Sequence, residues 1–429
     1  MQGGIVKEPV FVLDYDSVSP LGIGKKAILH SLKTNYCAGS TITRFDTEGL
    51  PISTAAEIKD DLSNLYENEH EGIKITASYD RKLELLVAVT NLLKPRINYL
   101  SKFSSSRKGT ILGIGIDIFD FKNTNNPITN YIKYPLMENL SKIHTQYGKF
   151  NSLMNPIDFA TLYLANTVKA GAFQKSILTA CAASSQAVAF GADAIRKGKT
   201  DIVIAGGSDS LLNIVAYSAF NKLGALAPQT DKPHKMCTPL DIRRKGTLLG
   251  EGASLIILAS QKGVEQSGID PIFEIRGWGN TLDGYKISAP DPKGIGMKNA
   301  MHNALLDAQT RTSAVDYINL HGTGTYANDA VELDSVINVF GNSAKNLMVS
   351  STKDRHGHQI SAAGIQEIIV LCLAMEHSFV PCTVNCEKPI YENGIDIVLN
   401  ENRSVDLKNC LTNSFAFGGV NTSILFTKV

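Results

Sequence analysis

Short runs of β-branched and leucine-rich residues alternate with amphipathic stretches along this chain, and that alternation restricts its fold more than any other feature. Val10–Tyr15, Gly109–Gly115, Asp201–Gly207, Ser254–Ala259, Tyr317–Gly322 and Ser423–Thr427 read as strands, several apolar on both faces. Glu84–Leu93, Ser184–Gly198, Gly296–Ala308 and Ala363–Met375 carry the period of helices. Strands that need cover on both faces, separated by helices able to supply it, predict an α/β protein. The 429 residues allow two large units or one duplicated one. The stretch Gly263–Pro271 mixes glycine, proline and charge and reads as a joint between halves 1–265 and 266–429. Each half then starts with a strand and ends with apolar β material, so internal duplication is expected. The polar stretch Phe121–Tyr147 reads as a surface excursion.

Charge sets further limits. Net charge is +1, which offers no overall attraction to nucleic acid or a membrane surface. The longest apolar runs, such as SLIILA and IIVLCLAM, fall far short of the roughly 20 residues a spanning helix needs. The first residues lack a basic start followed by an apolar run, so no secretory signal is expected. Seven cysteines, an odd and scattered set, fit a reducing cytoplasm better than a disulfide framework. Cys382 and Cys386 are a close pair, read as two buried thiols rather than a zinc site, since no second cluster lies near them.

Four segments carry chemistry. Thr179-Ala180-Cys181-Ala182-Ala183-Ser184-Ser185 follows the apolar run ILTA and precedes a helix closing on Arg196-Lys197-Gly198. Cys181 therefore sits at a helix N-terminus, where free N–H groups and the dipole are expected to lower a thiol's pKa. The same segment also fits a small buried thiol at a tight turn. Ile318-Asn319-Leu320-His321-Gly322-Thr323-Gly324-Thr325 ends a strand in a histidine and a loop of small hydroxyl residues. Ser351-Thr352-Lys353-Asp354-Arg355-His356-Gly357-His358 places a second histidine five residues after a lysine, ahead of a helix carrying Glu367. His356 and His358 as a metal pair lack an acidic or cysteine partner at ligand spacing. Asn413-Ser414-Phe415-Ala416-Phe417-Gly418-Gly419 puts aromatics before two glycines, a turn with exposed N–H groups suited to an oxyanion donor, or an ordinary β-turn.

Together and in this order these segments resemble the β-ketoacyl-(acyl carrier protein) synthases of the thiolase superfamily. Ser17-Val18-Ser19-Pro20-Leu21-Gly22, Ala205-Gly206-Gly207-Ser208-Asp209, Pro239-Leu240-Asp241 with Gly250-Glu251-Gly252-Ala253, and Asn328, Asp329 and Glu332 after the first histidine extend the likeness over nearly the whole chain. The resemblance implies a thiolase fold, two similar halves in a five-layer α-β-α-β-α arrangement. It implies a Cys-His-His triad at Cys181, His321 and His358, with Lys353 and Glu367 organising the histidines. Phe417 falls at the gating phenylalanine, its N–H joining that of Cys181 at the oxyanion. Thr323 and Thr325 fall where the family contacts the carrier's phosphopantetheine arm, and Gly113–Phe119 resembles the segment lining the acyl pocket.

The implied reaction is decarboxylative Claisen condensation of malonyl carrier protein with an acyl group on Cys181, without metal or redox cofactor. The implied partners are an acyl carrier protein and a second subunit, identical or chain-length-factor-like. Lys232, Lys235 and Arg243-Arg244-Lys245 are candidate contacts for the acidic carrier, although such runs are usually solvated faces. Leu240, Leu248, Val420, Ser184-Ser185-Gln186 and the sequence ISAPDP depart from the housekeeping pattern and lean toward aryl-polyene or polyketide pathways. Three rivals remain. A silent chain-length factor would lack the nucleophile. A cysteine acyl hydrolase would need a water-activating base. A thiolase would carry a second cysteine in the NSFAFGGVN segment, which has none.

Overall fold

The computed structural model describes residues 7–65, 81–115, 159–391 and 394–429, with the backbone of two short paired strands, Glu69–His70 and Ile73–Lys74. The Phe121–Tyr147 excursion and residues 116–119 of the pocket segment lie outside the described residues.

All six expected strands form. In the first half they are β1 (Phe11–Ser19), β2 (Lys108–Ile114), β4 (Ile202–Ser210) and β5 (Glu251–Ala259), joined by β3 (Phe173–Ile177). In the second half β6 (Phe273–Leu282), β7 (Tyr317–Asn319), β8 (Met348–Ser350), β9 (Asn409–Phe415) and β10 (Val420–Lys428) follow. The first half runs β3-β2-β4-β5-β1 and the second β8-β7-β9-β10-β6, the same order position for position. Directions match as well. β3, β2 and β4 are mutually parallel, as are β8, β7 and β9. The two strands after them are antiparallel in both halves. The duplication that residue matching leaves obscure is thus plain in the topology. The halves meet where Phe11 and Val12 pair with Glu274 and Phe273. The expected joint is not a loop throughout. Gln261–Ser267 is helical, N-capped by Ser260 and ended by Gly268 in the left-handed region at φ 63°.

Five layers follow from the helices. α2 (Arg81–Leu92) and α3 (Phe159–Val168) cover the outer face of the first sheet, and α5 (Ile295–Asp307) and α6 (Tyr326–Phe340) that of the second. Between the sheets lie α4 (Ala183–Arg196) and α8 (Ala363–Glu376), packed on each other and on strands of both halves. Every residue of α8 from Ala363 to Met375 is buried, which is why its sequence is apolar all round rather than striped. A short α1 (Lys25–Lys33) and a single turn, α7 (Lys353–His356), lie at the periphery and at the site respectively.

Both central helices enter through the same unusual turn. Ala180, before α4, has φ 47°, and Ile360, before α8, has φ 47°. Each is followed by one 3-10 turn, Ala180–Ala182 and Ile360–Ala362. A left-handed conformation costs a non-glycine residue about 1–2 kcal/mol, so the rest of the fold must impose it. Part of that constraint is visible at Gly113, where a Cβ would lie 2.2 Å from the Ser184 N and block α4 from seating on β2. The strained turn lifts residues 181 and 361 to the tips of the two buried helices.

Candidate active site

Cys181 sits on the turn entering α4, 3% exposed, and its sulfur is approached by the backbone N–H groups of Phe417 and of Cys181 itself. The two N–H groups expected to hold an oxyanion therefore converge on one point. Phe417, by contrast, is 40% exposed and is followed by Gly418 and Gly419 at φ 82° and 77°. An aromatic ring at the surface, next to a sealed sulfur and on a glycine turn, is placed as a gate would be.

His358 arrives from the other half. Its backbone bridges the chain just before β5 of the first half, with the His358 N–H donating to Leu248 O at 2.6 Å and Gly250 N–H donating to His358 O at 3.0 Å. Gly357, at φ 68°, turns the chain into that position and has no room for a Cβ beside Ala56 and Gly250. The ring then lies with Nε2 3.1 Å from Cys181 Sγ. Its Nδ1 is buried without a hydrogen-bond partner.

His321 follows β7. Its ring meets that of His358 edge-on, with centroids 5.3 Å apart. Lys353 Nζ donates to His321 Nδ1 at 3.2 Å and to His321 O, and is ion-paired with Glu367, all of it buried. A lysine donating to Nδ1 leaves the ring hydrogen on Nε2, so His321 presents a donor to the site. The sulfur and one nitrogen of each ring lie within 4.8 Å of one another. That spacing would admit a metal ion. The protonated Nε2 that Lys353 enforces is instead suited to an oxygen that gains negative charge.

Burial governs the titration of this cluster. It pushes the Cys181 thiol up to about 12, against the downward pull of the Lys353 charge and the two N–H groups. His321 and His358 are held well below the usual histidine range, first by burial and then by the same lysine. The expectation of a lowered thiol pKa at a helix N-terminus is thereby corrected, because desolvation in a sealed site outweighs the N–H groups. At rest the site holds a neutral thiol and two neutral rings rather than a thiolate–imidazolium pair.

Glu332, named in the sequence only as part of a pattern, proves central to the shape of the site. It is fully buried on α6 and accepts the N–H groups of His321 and Gly322, each at 2.8 Å. Burial raises it to about 7. The available signal was its spacing, eleven residues after His321 and four after Asn328, whose side chain bonds it at 3.2 Å. Asp329 acts alike on the next loop, taking Gly324 N–H at 3.1 Å and the N–H of Leu240 at 2.8 Å, the latter residue at φ 65°. Thr323 and Thr325 lie on the His321 loop with hydroxyls 2.9 Å apart, and Thr325 also caps α6 through Asn328 N–H.

Other expected residues stand apart. His356 bonds Thr352 and Gly357 O in the interior and is held at about 3 by burial, a structural histidine. Cys382 and Cys386 are free and buried. Of the basic candidates, Lys232, Lys235 and Lys245 are exposed. Arg243 is committed to Asp241 and Glu387, and Arg244 is buried on Thr325 O and the Tyr326 ring.

Comparison with known proteins identifies the family and the fold. Residues 7–263 match the model for the beta-ketoacyl synthase N-terminal domain and residues 272–387 that for the C-terminal domain. The chain is 30% identical over 420 residues to the 3-oxoacyl-[acyl-carrier-protein] synthase 2 of Staphylococcus aureus (strain COL), covering 98% of each. A solved type II PKS ketosynthase in complex with its acyl-carrier protein bound to the hexaketide superposes with a TM-score of 0.86 at 24% identity, covering 99% of this chain and all of that one. The ishigamide ketosynthase/chain length factor gives 0.83 at 25% identity, again over 99% of this chain and 100% of the other.

Proposed function

The chain belongs to the beta-ketoacyl synthase family of condensing acyltransferases, and from that premise we propose that Cys181, His321 and His358 carry a decarboxylative condensation of malonyl carrier protein with an acyl group. The observation that carries the assignment of residues is the meeting of sulfur and two rings from opposite halves within 4.8 Å, beneath two converging N–H groups.

In the first stage the Cys181 sulfur attacks an acyl thioester, the carbonyl oxygen rests on the N–H groups of Cys181 and Phe417, and the carrier thiol departs. Neutral His358, 3.1 Å away, takes the thiol proton and returns it to the leaving sulfur. In the second stage loss of carbon dioxide from the malonyl group leaves its electron pair as an enolate. Nε2–H groups of His321 and His358 stabilise the enolate oxygen. The enolate carbon attacks the acyl-cysteine, a carbon–carbon bond forms, and the Cys181 thiolate leaves and takes a proton from solvent. The two stages ask different things of His358. Its unpartnered Nδ1 leaves it free to present either a lone pair or a hydrogen at Nε2, whereas Lys353 fixes His321 as a donor. Lys353 and Glu367 serve as positioning residues, and Phe417 as the gate. The atoms balance without a metal or redox cofactor.

An acyl carrier protein is the proposed substrate carrier, with Thr323 and Thr325 lining the approach of its pantetheine arm and the exposed Lys232, Lys235 and Lys245 as cations for its acidic surface. A second subunit, identical or chain-length-factor-like, fits the edge of β3, which is unpaired among the described residues and around which Leu162, Leu178 and Phe190 are exposed. The departures at Leu240, Leu248 and Val420 favour a polyketide or aryl-polyene chain over a plain saturated one. Seven free cysteines fit a cytoplasmic setting, and among the described residues no helix is long and apolar enough to cross a membrane. A radiolabelled malonyl-carrier assay tests the proposal: Cys181→Ala should form no condensation product and His358→Ala about 10²- to 10⁴-fold less than wild type. Native-rate product from Cys181→Ala would overturn it.

A further inference from the structure

Arg355 is the largest wholly buried side chain among the described residues, and nothing in the condensation chemistry uses it. It lies on α7, two residues after Lys353 and three before His358. Its two terminal nitrogens donate to neutral acceptors from three separate segments, while its buried Nε has no hydrogen-bond partner among the described residues. Nη1 donates to Leu32 O at the end of α1 at 2.6 Å. Nη2 reaches Asn35 Oδ1 at 3.0 Å, Cys382 O at 2.8 Å and Sγ at 3.1 Å, and Asn402 Oδ1 at 3.1 Å. These acceptors are themselves tied together, since Asn402 donates to Leu32 O at 2.9 Å and accepts Cys382 N–H at 3.0 Å. The adjacent, equally buried Asp354 makes no ion pair with it, its Oδ2 taking Asn385 N–H at 2.8 Å, although the two opposite charges lie near enough for the Arg355 charge to pull the Asp354 carboxyl down against its burial.

A buried cation whose hydrogen bonds all go to neutral acceptors is costly, and for stability alone an apolar side chain of similar volume would often serve as well. We infer that Arg355 is a positioning residue: it locks the Thr352–His358 segment to α1 and the Cys382 and Asn402 loops, so that Lys353 meets His321 on one side and His358 meets Cys181 on the other. Ala38 N–H on Arg355 O, at 2.8 Å, closes the backbone on the same support. One bidentate, planar side chain joining several acceptors sets orientation in a way that a point-charge lysine or an apolar methionine does not. A shift of the order of 1 Å at a catalytic group can cost about 10²-fold in rate. The inference rests on the roles proposed above for Cys181 and His358.

The test uses full-length Arg355→Met and Arg355→Lys at a temperature well below the melting point of each. Both should lower kcat about 10- to 100-fold while the KM for the acyl carrier stays within about twofold. Both should also slow iodoacetamide alkylation of Cys181, which reads the sulfur–His358 contact directly. Asn402→Ala, which keeps the arginine and removes one acceptor, should give a smaller loss in the same two readouts and serves if the arginine variants do not fold. A lowered melting temperature with unchanged kcat and alkylation would reduce Arg355 to a stabilising residue and overturn the inference. Cys181→Ala is the control: if it retains activity the underlying reading fails, whereas inactive Cys181→Ala beside fully active Arg355→Met sinks this inference alone.

Discussion

The two turns that feed the central helices differ by little in shape and by everything in use. Thr179-Ala180-Cys181-Ala182-Ala183 and Gln359-Ile360-Ser361-Ala362-Ala363 share a left-handed second residue and a single 3-10 turn before a buried helix. At the first, residue 181 is a thiol whose own backbone N–H, with that of Phe417, approaches its sulfur. At the second, Ser361 N–H is taken by the buried Asp209 carboxylate at 3.0 Å. Duplication supplied two strained tips, and a single acidic side chain consumes the donor at one of them. On the proposed mechanism, reactivity depends on which helix-start N–H groups are left open, more than on the turn itself.

The comparison is broken most directly by exchanging its members. Cys181→Ala should abolish acyl transfer, at least about 10³-fold, while Ser361→Ala should cost less than about threefold, both read in the malonyl-carrier assay. A large loss at Ser361 would mean the second tip is also catalytic.

The pH behaviour of the first tip sharpens the contrast. A thiol near 12 gains thiolate about tenfold per pH unit below that value. The alkylation rate of Cys181 should therefore climb with unit slope beyond pH 9. Both histidines titrate well below their ordinary range, so no break is expected between pH 6 and 8. A plateau near neutrality would restore the thiolate that a helix N-terminus alone leads one to expect.

Much of the fold and the site could be read in advance. The six strands and four helices stood out because each was apolar on the face or faces that the layers bury, and Cys181, His321 and His358 because each ended or began such an element. Strands β3, β8 and β9 and helices α1, α3, α6 and α7 were not named, and β6 was anticipated only as the strand that opens the second half. β6 alternates half-buried and buried residues, and its register includes a bulge between Ile275 and Gly277. α6 mixes Asn328, Asp329 and Glu332 into its buried face, since it supports loops through carboxylates rather than packing alone. The same mixture hid Glu332, whose role exists only once α6 brings it under the His321 loop. The direction of the Cys181 shift was missed for a related reason: local dipoles are legible in sequence, and the depth of burial that outweighs them is not.

Asp209 offers a finer probe of the second tip. Burial raises it from an ordinary 3.8 to about 6. The folded state therefore binds this proton more tightly than the unfolded, and the protein loses stability as pH rises through that window. Asp209→Asn keeps an acceptor for Ser361 N–H and lacks the ionisation. Its melting temperature relative to wild type should rise between pH 4 and pH 7; a constant difference would show that the carboxylate is fully compensated in the fold.

The smallest effect concerns the strain common to both tips. Ala180→Gly relieves the left-handed conformation and should change stability by no more than about 1 kcal/mol in the favourable direction, after the added flexibility of the unfolded chain. Ile360→Gly relieves the same strain and removes a buried side chain, so it should destabilise by about 2 kcal/mol or more. Equal shifts in urea denaturation would mean that the turns are not held by the same forces.

Intact-mass and peptide mass spectrometry after mixing the protein with an acyl-loaded carrier tests the central assignment most simply. The acyl mass should appear on the peptide containing Cys181 and vanish when malonyl carrier is added, with release of carbon dioxide. An acyl mass on any other peptide, or none on this one while product still forms, would contradict it.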